Sequence, residues 1–203
     1  MSSQIYRLPL TVPEEREEEQ PRLRYITTAQ YSAEWNSTLH THSCTELFFI
    51  TGGHGSFHVG GSVFPIALND VVIVNANIPH TEQSQSESPL SYIALGVDHM
   101  QSLDDLGGST MIHLSGQQTQ LFTLLELLVQ EAQEQSEGWH AICQHLLEIF
   151  LQRLARRKDL TLSKPAAPGK TNRECELVRR YIDNHFKENL HLDDLAALAH
   201  INK

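Results

Sequence analysis

No apolar run in this 203-residue chain approaches the roughly 20 residues that a membrane-spanning helix needs. The first twenty residues, "MSSQIYRLPLTVPEEREEEQ", also lack the continuous apolar core of a secretory signal. Cysteine is scarce. Cys44, Cys143 and Cys175 are odd in number, far apart and without a C-x-x-C pair, which excludes a disulfide framework and fits a reducing cytoplasm. Positive charge is short as well. Fifteen Lys and Arg stand against 25 Asp and Glu, and a net charge of −10 repels a phosphate backbone. The chain as a whole is therefore a poor nucleic-acid binder, which leaves room for a small, less acidic reading segment at one end. What remains is ordinary globular composition, 40% hydrophobic and 20% charged, at a length that suits one domain and part of another.

The signals change along the chain. Residues 1–24 read as an N-terminal arm, with Glu14, Glu15, Glu17, Glu18 and Glu19 between Pro13 and Pro21 as a solvated cluster. Such an arm is either a simple tail or a cover for a ligand mouth. Residues 25–114 carry short β-like runs at sandwich or barrel spacing: "RYITTAQYS", "ELFFI", "SFHVGGSVFPI" around Gly60-Gly61, "DVVIV", "TEQSQ" and "SYIALGV". From 115 to 158 the period becomes helical. Ser115 and Gln118 have capping-box spacing, and Leu121, Phe122, Leu124, Leu125, Leu128 and Ala132 follow. After Gly138 a second stripe holds Trp139, Ile142, Cys143, Leu146, Ile149, Phe150 and Leu154. The pattern predicts an antiparallel helical hairpin. Leu121, Leu125 and Leu128, facing Ile142, Leu146 and Phe150, make a stripe wider than one barrel side needs, so a dimer surface stands beside plain core packing. Residues 159–172, with Pro165, Pro168 and Gly169, read as a linker. Residues 173–203 predict one helix through Leu177, Val178, Tyr181, Ile182, His185 and Phe186. A second follows, with Asp193 and Asp194 in its first turn, where the helix dipole favours acids.

Chemistry concentrates in "HTHSCTE", at the mouth of an apolar run. On a strand, His40, His42, Cys44 and Glu46 share one face. Imidazole nitrogen and carboxylate oxygen converging on one point are what a divalent transition metal needs. A bend must bring the carboxylate in, and His80, after "DVVIV" and Ile78-Pro79, is the candidate fourth ligand. The competing reading is that these polar side chains line a pocket and hydrogen-bond a ligand or each other. Cys44 is either a further soft ligand or a small buried residue. His54, His58, His99 and His113 show no ligand spacing and receive no role.

His40-x-His42-x3-Glu46-x6-Gly53 resembles the first cupin motif in full, and "NDVVIVNANIPH" resembles the second. There Asp70 and His80 are kept, Asn69 stands for the usual Gly, and Asn75 and Asn77 stand for the usual Pro and Gly. Asn tolerates left-handed backbone, so the turn is expected to survive. The tail, "LVRRYIDNHFKENLHLDDLAALAHINK", is similar to the start of the DNA-binding domain of AraC-type transcription regulators. Leu192, Leu195, Ala196 and Ala199 fall on its pattern, while His191 and His200 depart from it. Barrel, hairpin, linker and this start follow one another in the order of that family.

The resemblance implies a mainly β plus α fold: a cupin-like jelly-roll barrel, an antiparallel hairpin, and a truncated helix-turn-helix start. It implies the ligand-sensing and dimerisation portion of a cytoplasmic regulator and no catalysis. The effector, a sugar or other small metabolite, would lie among His40, His42, Glu46, His80, Trp35 and Phe48. The same four His and Glu residues would hold one divalent ion, if any: Zn, Ni, Fe or Mn. The protein would be a homodimer without membrane association. Promoter DNA would be bound only by a longer chain, because neither helix-turn-helix of the family is complete before Lys203. The alternative is a metal-dependent cupin enzyme, a dioxygenase or isomerase, using the same four ligands.

Overall fold

The computed structural model describes residues 2–8, 20–31, 38–103, 108–114, 118–156, 160–163 and 189–199, with positions 175, 178, 179, 181, 182 and 185 between the last two. The capping-box pair Ser115/Gln118, the acidic cluster and Trp35 fall wholly or partly outside the described residues. The chain divides into two compact units, Met1–Lys164 and Pro165–Lys203.

Among the described residues ten strands precede the hairpin in the first unit: β1 (Ser2–Arg7), β2 (Arg22–Gln30), β3 (Thr45–Gly52), β4 (His54–Val59), β5 (Ser62–Ala67), β6 (Asp70–Val74), β7 (His80–Ser84), β8 (Ser91–Asp98), β9 (Gln101–Ser102) and β10 (Ser109–His113). Helices α1 (Gln118–Glu134) and α2 (Trp139–Leu154) follow, then β11 (Leu162–Ser163). A six-stranded sheet runs β1-β2-β8-β3-β6-β10, a three-stranded one β5-β4-β7, and β9 pairs with β11. Neighbouring strands in these sheets are antiparallel. Within the stretch read as an arm, residues 2–7 form an edge strand of the large sheet, in register Ser2↔Gln30 to Arg7↔Tyr25.

The central strands read as unbroken apolar runs because the large sheet is covered on both sides. Leu47, Phe49, Val71, Ile73, Leu95 and Val97 point to the hairpin and form one core with Leu125, Leu128, Leu147 and Phe150. Phe48, Ile50, Val72, Val74, Tyr92 and Ala94 point the other way and form a second core with Phe57, Val59 and Ile66 of the small sheet. The second core is the barrel interior. The chain thus has the cupin-type barrel and helical part that the sequence implies.

The hairpin corrects one expectation. Leu121, Leu125, Leu128 and Phe150 are all buried against their own sheet, so they are not spare surface. The inward side of α2 is Cys143, Leu147, Phe150, Leu151 and Leu154, rather than a stripe through Ile142. Exposed apolar residues on the two helices are Leu127, Ile142 and Ile149. Gly138 does break the run, at φ 83°. In the second unit the described helix α3 spans Leu192–Leu198, with His191 in extended backbone ahead of it and Asp193 and Asp194 in its first turn.

Candidate effector pocket and metal-ligand cluster

The strand expected to begin at His40 begins at Thr45. His40 makes a lone bridge instead, to His80 at the start of β7. The two backbones exchange hydrogen bonds, His40 N–H to His80 O at 3.0 Å and His80 N–H to His40 O at 2.9 Å. Between His40 and β3 the chain bends at Ser43 and Cys44. The Asn77 amide donates to His42 O at 2.7 Å, and an Arg24 guanidinium nitrogen donates to Ser43 Oγ at 2.6 Å. The bend carries Glu46 under both histidines, as the spacing required. Asn69 and Asn77 stand at φ 75° and 65°, in the left-handed region their amide side chains tolerate.

His40, His42, Glu46 and His80 each bring one ligand atom to within 4.8 Å of the others. His40 Nδ1 lies 2.8 Å from Thr38 O, and His80 Nδ1 lies 2.8 Å from Ile78 O. A carbonyl only accepts, so both imidazoles carry their proton on Nδ1 and turn a lone pair on Nε2 inward. That is how ligating histidines are held. Glu46 Oε2 lies 2.9 Å from His80 Nε2 and 3.3 Å from His42 Nε2. Yet Glu46 Oε2 and His80 Nε2 are buried and neither has an aligned hydrogen bond. Orphaned buried polar atoms aimed at one point fit a bound cation.

The charges of the cluster are coupled. Burial pushes the Glu46 carboxyl up, but the His80 contact and the neighbouring imidazoles outweigh it and hold it below its ordinary value. Burial pushes His80 down, and the Glu46 carboxylate more than reverses this. His42 stays lowered, chiefly by burial. Glu46 Oε1 accepts a hydrogen bond from the Tyr25 hydroxyl at 2.7 Å, which leaves Oε2 for the cluster. Gly96 makes room for this: a Cβ there would lie 2.4 Å from the Tyr25 ring. Cys44 stays outside the cluster. It is 3% exposed, its Sγ faces the Tyr25 hydroxyl at 3.6 Å, and burial with the nearby Glu46 pushes its thiol up to about 12. It is the small buried residue of the two readings.

Beside the cluster lies a cavity of about 330 Å³, bounded by His40, His42, Glu46, Phe48, Glu82 and Tyr92, with Tyr25, Thr27, Tyr31, Thr38, Ala94 and Ile5 of β1. Phe48 is 3% exposed, its ring edge-on to His80 at 5.7 Å and to Tyr92 at 5.4 Å. Tyr25, Tyr31 and Glu82 escaped the sequence reading. Glu82 follows His80 by two residues on one strand, so their shared face was readable. Tyr25, Thr27 and Tyr31 share one parity along β2 and just past it, and all three border the cavity. Tyr31 and Tyr92 both donate to Glu82 Oε1, Tyr92 at 2.7 Å, and burial keeps the Tyr92 hydroxyl protonated. His113, without ligand spacing, is bonded to Asp70 at 2.7 Å, away from the cluster.

A two-sheet barrel that gathers three His and a Glu beside an interior cavity has the form of a cupin-type ligand-binding domain. Residues 26–153 match the AraC-like ligand binding domain, and the chain belongs to that family. No curated protein matches it. Among solved structures it is similar to a cupin protein from Bacteroides fragilis, at 17% identity and a TM-score of 0.34, over 36% of this chain and 64% of that one. It is similar to YhaK from Escherichia coli, at 11% identity and a TM-score of 0.46, over 56% and 52%. It is also similar to the pirin YhhW from Escherichia coli, in complex with nickel(II), at 15% identity and a TM-score of 0.41, over 57% and 52%. The chain thus spans about half to two-thirds of these structures. Among the described residues no helix is long and apolar enough to cross a membrane.

Proposed function

We propose that this chain is the ligand-sensing and dimerisation portion of an AraC-type transcription regulator, which controls DNA binding in response to a small-molecule effector. The carrying observation is the cavity of about 330 Å³ inside the segment that matches the AraC-like ligand binding domain. Its size suits a sugar or a comparable small metabolite. Residues 25–114 act as the effector barrel and 115–158 as the dimerising hairpin, through the face bearing Leu127, Ile142 and Ile149. Residues 159–172 are the linker, and 173–203 begin a DNA-reading domain in which α3 is the first helix of a helix-turn-helix unit. Reading bases takes the second helix of such a unit. Specific promoter binding therefore belongs to a chain extended by about one small domain. Such a regulator works in the cytoplasm.

His40, His42, Glu46 and His80 fit one divalent ion, Zn, Ni, Fe or Mn, by their inward lone pairs and the unbonded Glu46 Oε2. When bound, the ion offers a Lewis-acid centre for an oxygen donor on the effector. Tyr25 orients Glu46, and Phe48 walls the site from the barrel core. The same convergence favours a second reading, a metal-dependent dioxygenase or isomerase. A helix-turn-helix start has no use in such an enzyme, and this makes the regulator the first choice.

Native mass spectrometry of the purified chain tests for a co-purified small molecule. Anisotropy titration of promoter DNA then compares residues 1–203 with the extended chain, with and without that molecule. Expected are no specific binding by residues 1–203 and effector-dependent binding by the extended chain. Specific, saturable binding by residues 1–203 would overturn the assignment of the tail. Elemental analysis tests the ion. About one metal per chain is expected, lost in the double variant His42→Ala/His80→Ala.

A further inference from the structure

We infer that Asn75 couples the metal-ligand cluster to a clasp at the start of the linker, so that filling the cluster holds the linker's first residues on the barrel. This rests on the regulator reading above, and it names how the sensor reports to the linker.

The clasp is the ladder of β9 and β11. Each strand is two residues long, with Leu162 opposite Ser102 and Ser163 opposite Gln101. The Leu103 amide donates to Thr161 O at 3.0 Å, and Leu160 is buried in the core under the hairpin. The stretch read as a linker therefore begins inside the first unit. A ladder this short is marginal by itself. In an antiparallel pair, a residue between two hydrogen-bonded positions turns its own N–H and C=O to the other edge. Ser102 does so, and Asn75 meets it there. The Ser102 amide donates to Asn75 Oδ1 at 2.8 Å, and Asn75 Nδ2 donates to Ser102 O at 2.9 Å. One side-chain amide thus takes the place of a third strand. A proline, the usual residue of the motif that this segment resembles, has neither group.

The backbone of Asn75 belongs to the turn that carries the cluster. Its amide donates to Gly108 O at 2.9 Å, and its carbonyl accepts from the Ile78 amide at 3.3 Å. Ile78 O in turn lies 2.8 Å from His80 Nδ1, and the Asn77 amide donates to His42 O at 2.7 Å. Two of the four ligands are therefore tied to residues 75–78, His80 through its ring and His42 through its backbone. An ion that draws His42 and His80 to one point orders this turn. With the turn ordered, closing the clasp costs less conformational freedom, and that saving is a coupling free energy between the two places. Such coupling is reciprocal, so opening the clasp weakens the hold on the ion by the same factor.

The test uses Zn(II) as the probe, on residues 1–203 and without DNA. Calorimetry measures its binding, and amide hydrogen exchange at Leu103, resolved by NMR, reads the clasp. Saturating Zn(II) should slow Leu103 exchange about fivefold or more, within the usual range of coupling between two sites. In Asn75→Ala the slowing should vanish while Zn(II) still binds. If Asn75→Ala does not fold, Asn75→Asp keeps the shape, loses the donor to Ser102 O and should give the same result. Ser163→Pro breaks the pairing with Gln101 and should weaken Zn(II) binding by about the factor of the slowing. Leu103 exchange that ignores bound Zn(II) in the wild type would overturn the inference. So would slowing that survives in the Asn75 variant, since the ion then stabilises the unit as a whole. Undiminished Zn(II) affinity in Ser163→Pro would overturn it too. Each of these outcomes leaves the regulator reading standing, because promoter titration judges that reading separately. No saturable binding of Zn(II) would remove the metal ion and this inference together.

Discussion

Phe48 and Phe49 are neighbours on β3, 3% and 0% exposed, and they serve opposite sides of one sheet. The Phe49 ring meets Phe150 of the hairpin edge-on at 5.1 Å, in a core of aliphatic side chains. The Phe48 ring meets Tyr92 at 5.4 Å and His80 at 5.7 Å, and borders the cavity. Burial alone does not tell the two faces apart; the chemistry of what each residue touches does. The outward face is apolar and specifies where the helices dock. The inward side mixes rings with two carboxylates and three imidazoles around a cavity.

Substitutions break this comparison in order of expected effect. Phe49→Ala leaves a cavity between sheet and hairpin and should cost about 3–5 kcal/mol in chemical denaturation, with metal affinity of the folded fraction unchanged. A loss under about 1 kcal/mol would show that the hairpin docks weakly. Gly96→Ala should cost about 1–3 kcal/mol, because its Cβ meets the Tyr25 ring. Unlike Phe49→Ala, it should also weaken metal binding, since the displaced ring releases Glu46. Tyr25→Phe removes the hydroxyl that holds Glu46 Oε1. It should lower metal affinity about 10–100-fold while changing stability by only about 1 kcal/mol. Unchanged metal affinity would leave the tyrosine a mere packing residue. Ile142→Lys with Ile149→Lys, on the solvent side of α2, should change monomer stability by about 0.5 kcal/mol or less. Light scattering should then show a monomer in place of a dimer, and a wild type already monomeric at micromolar concentration would remove that interface.

Much of this was legible in the sequence. "LFFI" and "DVVIV" announced strands, and Gly138 announced the hairpin turn. His40, His42, Glu46 and His80 were found by spacing, because a cupin motif fixes them within two short segments. Tyr25 was not, and the reason is local. Leu23 and Tyr25 are two apart and should share a face, but the register between β2 and β8 shifts between them. Leu23 therefore joins the core under the hairpin, while Tyr25 turns into the pocket. A bulge leaves no mark in hydrophobic patterning, so the parity of everything before it is misassigned. The hairpin stripe failed differently. Helical spacing located the apolar faces but not how much of them one sheet would absorb, and it took Ile142 for an inward residue.

The reciprocal amide bonds between His40 and His80 have a consequence for the order in which the protein is made. The two residues are far apart in sequence and meet at a single bridge outside any continuous ladder. Closing so long a loop for so few bonds is entropically poor until the strands between them are in place. The bridge is therefore a late event in folding, and the four ligand atoms gather only once the barrel has closed. A ligand that needs all four of them recognises the finished barrel and passes over its partly folded precursors, so its capture marks the end of folding.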